Sequence, residues 1–135
     1  MKIIHIIYSG LGGQGSVLFP IIESLKKEKL FKSIIFFYGK EELLKNYIDQ
    51  CKKLNLNFSY FNSNYRFSNF KIFLKLIKLK PNKIILHTSC IIPLLFYKLI
   101  QKVTLVKILH TDIKLYAKND WIILFFSIIF FNKIV

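Results

Sequence analysis

Short apolar runs alternate with amphipathic stretches along this chain of 135 residues. The apolar runs are typical of strands that are buried in a sheet. The predicted strands are 3–7, 33–38, 57–61, 83–86 and 104–109. Between them, apolar residues recur at the spacing of a helix that is buried along one face. The predicted helices are 16–28, 41–53, 67–79 and 91–101. This alternation predicts an α/β fold with a doubly wound, mainly parallel sheet.

The last apolar stretch, residues 121–131, reads WIILFFSIIFF and is apolar on all sides. It is shorter than the roughly 20 residues that a helix needs to cross a bilayer, and no other run reaches that length. It is predicted to be either a helix packed against the sheet or an interfacial anchor. The apolar start is broken too soon by Gly10 to be typical of a signal peptide. By its length the chain is predicted to be one domain, residues 1–135.

Lysine dominates the charge of the chain, which has a formal net charge of +14 and 53% hydrophobic residues. That apolar content argues against a disordered chain. The lysines are spread over the whole sequence and Arg66 is the single arginine, whereas nucleic-acid interfaces favour arginine. We therefore expect no nucleic-acid partner, and the charge suits solvated surfaces, an anionic membrane or an anionic substrate. Cys51 and Cys90 lack metal-ligand spacing and indicate reduced thiols in a cytosolic protein.

A glycine-rich turn follows the first predicted strand at once. Gly10, Gly12, Gly13 and Gly15 have the spacing G-x-G-x-x-G, and Ser16 is predicted to cap the helix that follows. Glycine lets the backbone approach a ligand closely, and a helix N-terminus offers free N–H groups to an anion such as a phosphate. The alternative is that these glycines only allow the helix and the strand to lie close together.

The second predicted strand tests whether this turn could serve a nicotinamide cofactor. Such a site needs an acidic residue roughly 20 residues past the glycines, where it holds the ribose. Residues 32–40 contain no carboxylate, and Glu41 and Glu42 come later, in the next predicted helix. The dinucleotide interpretation is therefore weakened, although it stays open.

The opening MKIIHIIYSGLGGQGSVLFPIIESLKK resembles the start of family 4 glycosyltransferases of the GT-B fold. Those proteins commonly begin with an M-K-I-x-H-I strand, a G-G turn and an amphipathic helix. The resemblance implies that Gly12, Gly13 and Gly15 lie against the phosphates of the sugar donor. Many relatives carry an acidic residue just after the glycine pair, where this chain has Gln14-Gly15-Ser16.

A second segment carries the same resemblance. The pattern K-P-x-x-I-x-x-H over 80–87 is similar to the K-P-D-I-I-H-x-H segment of the family, and His87 takes the place of its second histidine. The resemblance implies that His87 contacts the donor sugar or the acceptor, with Thr88 beside it in the cleft. A neutral imidazole there could donate or accept a hydrogen bond. The alternative is that His87 only caps loose backbone groups at a strand end.

The fifth predicted strand ends in His110-Thr111-Asp112. The family often shows a strand that ends in a histidine and an aspartate, which makes His110 a cleft candidate and Asp112 a weaker catalytic one. Because parallel strands deliver their carboxyl ends to one side, both could share an edge with His87. The alternative is an ordinary polar loop. In relatives a buried strand that begins like K-I-V comes next, at 133–135 here.

The resemblance implies the N-terminal, acceptor-side domain of a glycosyltransferase in cell-surface glycan synthesis. The implied reaction moves a sugar, with retention of configuration, from a nucleotide-sugar to a saccharide or lipid-linked acceptor. It implies no cofactor and no metal. The donor-binding carboxylates of the usual second domain are not in this sequence, so we expect a truncated chain that is inactive unless a separate chain supplies that half.

Two functions of other classes stay open beside this one. The first is a nucleotide-binding oxidoreductase module, which would rest on the glycine spacing. The second is a non-catalytic membrane-surface or interaction domain, which would rest on the basic face of Lys71, Lys75 and Lys78 and on the 121–131 stretch. An inactive remnant is a further alternative. We expect a cytoplasmic protein that is peripheral at the inner face of the membrane if the basic face binds lipid.

Overall fold

Strands and helices alternate in the computed structural model, which describes residues 1–10, 13–27, 31–108, 125 and 128–135. In this part of the chain the strands are β1 (Lys2–Tyr8), β2 (Lys32–Gly39), β3 (Asn57–Asn62), β4 (Lys83–Leu86), β5 (Thr104–Lys107) and β6 (Lys133–Ile134). The helices are α1 (Gln14–Lys27), α2 (Lys45–Lys53), α3 (Ser68–Leu79) and α4 (Ile92–Ile100). The predicted α/β alternation is confirmed.

The strands form one sheet in the order β3-β2-β1-β4-β5-β6, and every neighbouring pair is parallel. From β1 the chain winds outward through β2 and β3, and it then crosses back to place β4 on the other side of β1. The doubly wound parallel sheet predicted from the sequence is therefore confirmed. The winding direction reverses between β1 and β4, which is where folds of this kind form a ligand crevice.

Helices cover both faces of the sheet, so each face has its own core. Side chains of alternating position along β1 and β2 enter opposite cores, as the period of a strand requires. The core under α3 and α4 includes Ile4, Ile6, Phe36, Ile72, Leu76, Leu94 and Tyr97. The core under α1 and α2 includes Ile7, Leu18, Ile22, Ile35, Phe37, Tyr47 and Cys51. The central strands are therefore apolar on both sides, as their continuous runs predicted.

Two helices begin more than one residue away from the predicted position. Helix α1 starts at Gln14, so Ser16 is not its cap; the Ser16 hydroxyl instead donates to the Gly13 carbonyl at 2.6 Å. Helix α2 starts at Lys45 rather than at residue 41. The Glu41 carbonyl accepts hydrogen bonds from the Ser9 hydroxyl and from the Tyr60 hydroxyl, each at 2.9 Å. These bonds tie the segment before α2 to the sheet.

The orientation of α3 differs in part from the predicted one. The spacing of its apolar residues predicts an inward face of Phe70, Phe73, Leu74 and Ile77. Phe73 and Ile77 do pack against the core, but the fully buried residues are Ile72 and Leu76, whereas Phe70 and Leu74 have exposed fractions of 56% and 48%. Apolar residues occur on more than one side of this helix, so the periodicity fits two orientations. The consequence is an apolar stripe on the outside of the protein.

The end of the chain contributes an edge strand. Lys133–Ile134 pairs in parallel with β5, which confirms a strand where the K-I-V segment predicted one, although Lys133 is exposed. Of the 121–131 stretch, residue 125 and residues 128–131 are described; Phe131 is buried in the α3–α4 core and Ile128 is exposed. None of the helices in the described ranges is long and apolar enough to cross a membrane.

Candidate functional site

The ends of β1 and β4 define the candidate site. The two strands pair as far as Ile6 and Leu86, and the His87 N–H donates to the Ile6 carbonyl at 2.9 Å. Beyond that point β1 runs into the glycine turn and β4 runs into residues 87–89. The topology thus brings His87 and the start of α1 to the same end of the sheet.

A glutamine side chain joins the two strand ends. Gln14 Oε1 accepts a hydrogen bond from the Tyr8 N–H at 2.8 Å, and Gln14 Nε2 donates to the His87 carbonyl at 2.8 Å. Sequence reasoning treated Gln14 only as a departure from the acidic residue of the family. The position of Gln14 in the glycine turn was the available sign of a bridging role, because a carboxamide can donate one hydrogen bond and accept another.

The two described glycines of the predicted phosphate site differ in their surroundings. Gly13 is exposed with φ of +67°, a left-handed conformation that favours glycine, and an added Cβ would meet nothing within 4 Å. Gly15 is buried, and its N–H donates to the Tyr47 hydroxyl at 3.4 Å. A Cβ at Gly15 would lie 2.4 Å from Tyr47 Cε1. Gly15 is therefore required by packing, and the open part of the turn is at Gly13.

His87 is buried and lies beside a second histidine. The ring centroids of His87 and His5 are 6.0 Å apart. His5 has an exposed fraction of 2%, and neither of its ring nitrogens has a hydrogen-bond partner among the residues that the structure describes. Burial, with a smaller contribution from the charge of Lys83, lowers the pKa of His5 from 6.5 to about 4. His5 is therefore neutral near pH 7, and its position inside an apolar run concealed it in the sequence.

A buried lysine supports the loop after β4. Lys107, at the end of β5, donates from Nζ to the carbonyl of Thr88, the residue predicted to line the cleft. Burial raises the pKa of the Cys90 thiol, with the charge of Lys107 opposing this effect. Burial also raises the pKa of Cys51 to about 12. Both cysteines are free thiols, as predicted, and they stay protonated near pH 7.

The remaining predicted residues are either outside the described part of the chain or on helix α3. Gly12, His110 and Asp112 fall outside the described residues. Lys71, Lys75 and Lys78 are on the exposed side of α3. The ammonium group of Lys75 donates to the Ser59 hydroxyl and lies 5.9 Å from the ring centroids of Phe36 and Phe61, at the β3 edge.

A groove of about 520 Å³ with a mixed polar and apolar lining runs between α1 and α2, and its lining residues include Gly13, Ser16, Glu23 and Lys53. Within the described ranges no three histidine, cysteine, aspartate or glutamate side chains gather in a way that could hold a metal ion. The groove reaches the exposed start of α1 at Gly13.

The fold is similar to those of two solved proteins. HepE from Anabaena, whose structure was determined in complex with UDP-glucose, superposes with a TM-score of 0.73 at 12% identity. MurG from Acinetobacter baumannii superposes with a TM-score of 0.54 at 10% identity. The alignments cover 99% and 80% of this chain, but only 36% and 34% of those proteins. The fold expected from the glycosyltransferase resemblance, a Rossmann-like half of the GT-B architecture, is thereby confirmed. No protein-family model and no curated protein matches the sequence.

Proposed function

We propose that this chain is the acceptor-side domain of a GT-B glycosyltransferase that takes its donor as a nucleotide-sugar. The observation that supports the proposal is the end of the β1–β4 pairing at Ile6 and Leu86, after which the chain enters the glycine turn on one side and His87 on the other. The likeness of the fold to HepE, a protein crystallised with UDP-glucose, supports the class of donor. A crevice at a reversal of the winding direction is the usual ligand site of such sheets.

In this proposal the donor diphosphate lies against Gly12, Gly13 and the N-terminus of α1, with Gly15 behind them. Free N–H groups at a helix N-terminus suit an anion without a metal ion or a cofactor. His87 and Thr88 face the sugar or the acceptor, and a neutral imidazole can donate or accept a hydrogen bond there. His110 and Asp112, which lie outside the described residues, stay further candidates from the family resemblance.

The acceptor is proposed to be a saccharide or a lipid-linked saccharide used in cell-surface glycan synthesis, and the transfer is proposed to retain configuration. The chain spans about a third of the length of the two solved proteins that it resembles. A second domain, which would supply the remaining contacts to the donor, would complete the proposed enzyme.

Two variants of Gly13 test the donor site. Gly13→Asp adds a carboxylate where the diphosphate is proposed to lie, and it is expected to weaken UDP-glucose binding roughly tenfold or more. Gly13→Asn is the matched control, because asparagine has the same shape, tolerates positive φ and carries no charge. Isothermal titration of the full chain with UDP-glucose measures both variants.

Equal affinities of the two Gly13 variants would contradict phosphate binding at this turn. Titration with NADH in the same experiment distinguishes the oxidoreductase alternative. That alternative requires NADH to bind more tightly than UDP-glucose, whereas the glycosyltransferase proposal requires the reverse order.

A second proposed partner is an anionic membrane surface, which contacts the outer faces of α3 and α4. The apolar stripe on α3 continues onto α4, where Ile92 and Phe96 are exposed. Phe70, Ile92 and Phe96 line one apolar groove of about 310 Å³ between the two helices. Exposed apolar patches of this kind mark interaction sites for proteins or membranes.

The charge of this face favours a membrane over a protein as its partner. Residues 50–108 include Arg66 and ten lysines but no aspartate or glutamate, and Lys71, Lys75 and Lys78 flank the apolar stripe. A face that is apolar and basic without any acidic residue complements anionic lipid headgroups and acyl chains together. The peripheral location at the inner face of the membrane is part of this proposal.

The double variant Phe70→Ser, Phe96→Ser is expected to bind phosphatidylglycerol-containing vesicles roughly tenfold more weakly. Both substitutions remove apolar area that would enter the bilayer surface. The matched control combines Val17→Ser with Ile21→Ser, since these residues are comparably exposed on α1. Vesicle sedimentation at low and high salt gives the measurement. Equal loss in both double variants would contradict the assignment of this face.

A further inference from the structure

The backbone ladder between β1 and β4 ends one hydrogen bond early. The His87 N–H donates to the Ile6 carbonyl, and a continued parallel ladder would have the Tyr8 N–H donate to the His87 carbonyl. Instead, the Tyr8 N–H donates to Gln14 Oε1, and Gln14 Nε2 donates to the His87 carbonyl. The carboxamide of Gln14 thus occupies the place of one ladder bond. It satisfies both backbone groups while it holds the two strands apart.

This bridge connects three elements at the point where the crevice opens. Tyr8 is the last residue of β1, His87 follows β4, and Gln14 is the first residue of α1. The bridge therefore fixes the N-terminus of α1 relative to the backbone of His87. Both bonds have a donor-to-acceptor distance of 2.8 Å, which is within the normal range for a hydrogen bond between N–H and oxygen.

We infer that Gln14 is a positioning residue of the proposed donor site. It keeps β1 and β4 separated and sets the distance between the phosphate-binding turn and His87; this inference rests on the proposed function. The role requires one side chain with a donor and an acceptor on the same group, which only a carboxamide of this length supplies here. Loss of the bridge leaves two backbone groups to be satisfied by water or by closure of the strands.

Gln14→Met removes both hydrogen bonds and keeps the length of the side chain, so it is the direct test. In this variant the Tyr8 amide is expected to exchange with solvent roughly tenfold faster, because its acceptor is lost. UDP-glucose affinity is expected to fall roughly tenfold as the turn and His87 lose their fixed separation. Hydrogen exchange by NMR and isothermal titration of the full chain give the two measurements.

Gln101→Met is the matched control, because it makes the same substitution at the C-terminal end of α4, away from the bridge and from the glycine turn. It is expected to change neither Tyr8 exchange nor UDP-glucose affinity, and the two variants are compared at matched thermal stability. If the exchange rate of the Tyr8 amide is unchanged in Gln14→Met, the bridge is overturned. If that amide exchanges faster but the affinity for UDP-glucose is unchanged, the positioning role of Gln14 is overturned. If the wild-type chain does not bind UDP-glucose, the proposed function fails, while Tyr8 exchange still decides whether Gln14 holds the strands apart.

Discussion

Lowering the pH from about 7 to about 4 is expected to reduce the free energy of unfolding by about 3 kcal/mol through His5 alone. The pKa of His5 is lowered from 6.5 to about 4 in the folded chain. Between about pH 6.5 and pH 4, the His5 imidazole is therefore protonated in the unfolded chain but stays neutral in the folded chain. The stability that this histidine contributes is complete above pH 6.5 and is lost as the pH falls towards 4.

The substitution His5→Leu removes this titration and keeps an apolar side chain in the centre of the sheet. Urea unfolding of the wild-type chain and of His5→Leu at several pH values between about 7 and 4 measures the effect. The difference in unfolding free energy between the two proteins should shift by about 3 kcal/mol in favour of the variant across this range. Carboxylates titrate in both proteins, so their contribution cancels. A constant difference at all pH values would contradict an unpartnered, neutral His5.

Gly15→Ala is expected to lower the free energy of unfolding by about 2 kcal/mol, although alanine is the better helix former. The reason is steric, since the added Cβ would lie 2.4 Å from Tyr47 Cε1, and Tyr47 is held in the core under α1 and α2. The start of α1 or the Tyr47 ring would have to move. Chemical unfolding of the single variant gives the first number.

A double-mutant cycle with Tyr47→Ala isolates that contact. In the Tyr47→Ala background the ring is absent, so Gly15→Ala should cost nothing and should even stabilise α1 by about 1 kcal/mol. The expected coupling between the two sites is therefore about 3 kcal/mol. If the effects of the two substitutions are additive, Gly15 is not required by its contact with Tyr47. A role of Gly15 in the approach of a ligand to the backbone would then be favoured.

The order of the elements could be predicted because the central strands are apolar on both faces. Runs such as 33–38 are short and rich in isoleucine and aromatic residues, which favours a buried strand, and the parallel sheet follows from the alternation. The orientation of α3 could not be predicted in the same way. Its apolar residues fit two faces, and contact with the sheet through Ile72 and Leu76 selected the face that leaves Phe70 outside.

The candidate site residues came from two kinds of sequence signal. His87 came from the resemblance of residues 80–87 to a family segment, and the glycine turn came from the strand that precedes it. The bridge by Gln14 was not predictable, because it depends on where two strands that are distant in sequence separate. His5 was missed for a related reason: its burial comes from neighbouring strands, and its own sequence context is simply a strand.

The measurement that tests the central claim most directly is an NMR titration of the full chain with UDP-glucose. The account predicts amide shifts that concentrate at the glycine turn, the first turn of α1 and His87, and it predicts that NADH does not reproduce them. Shifts confined to other surfaces, or the same shifts with NADH, would contradict a nucleotide-sugar site at the divergence of β1 and β4.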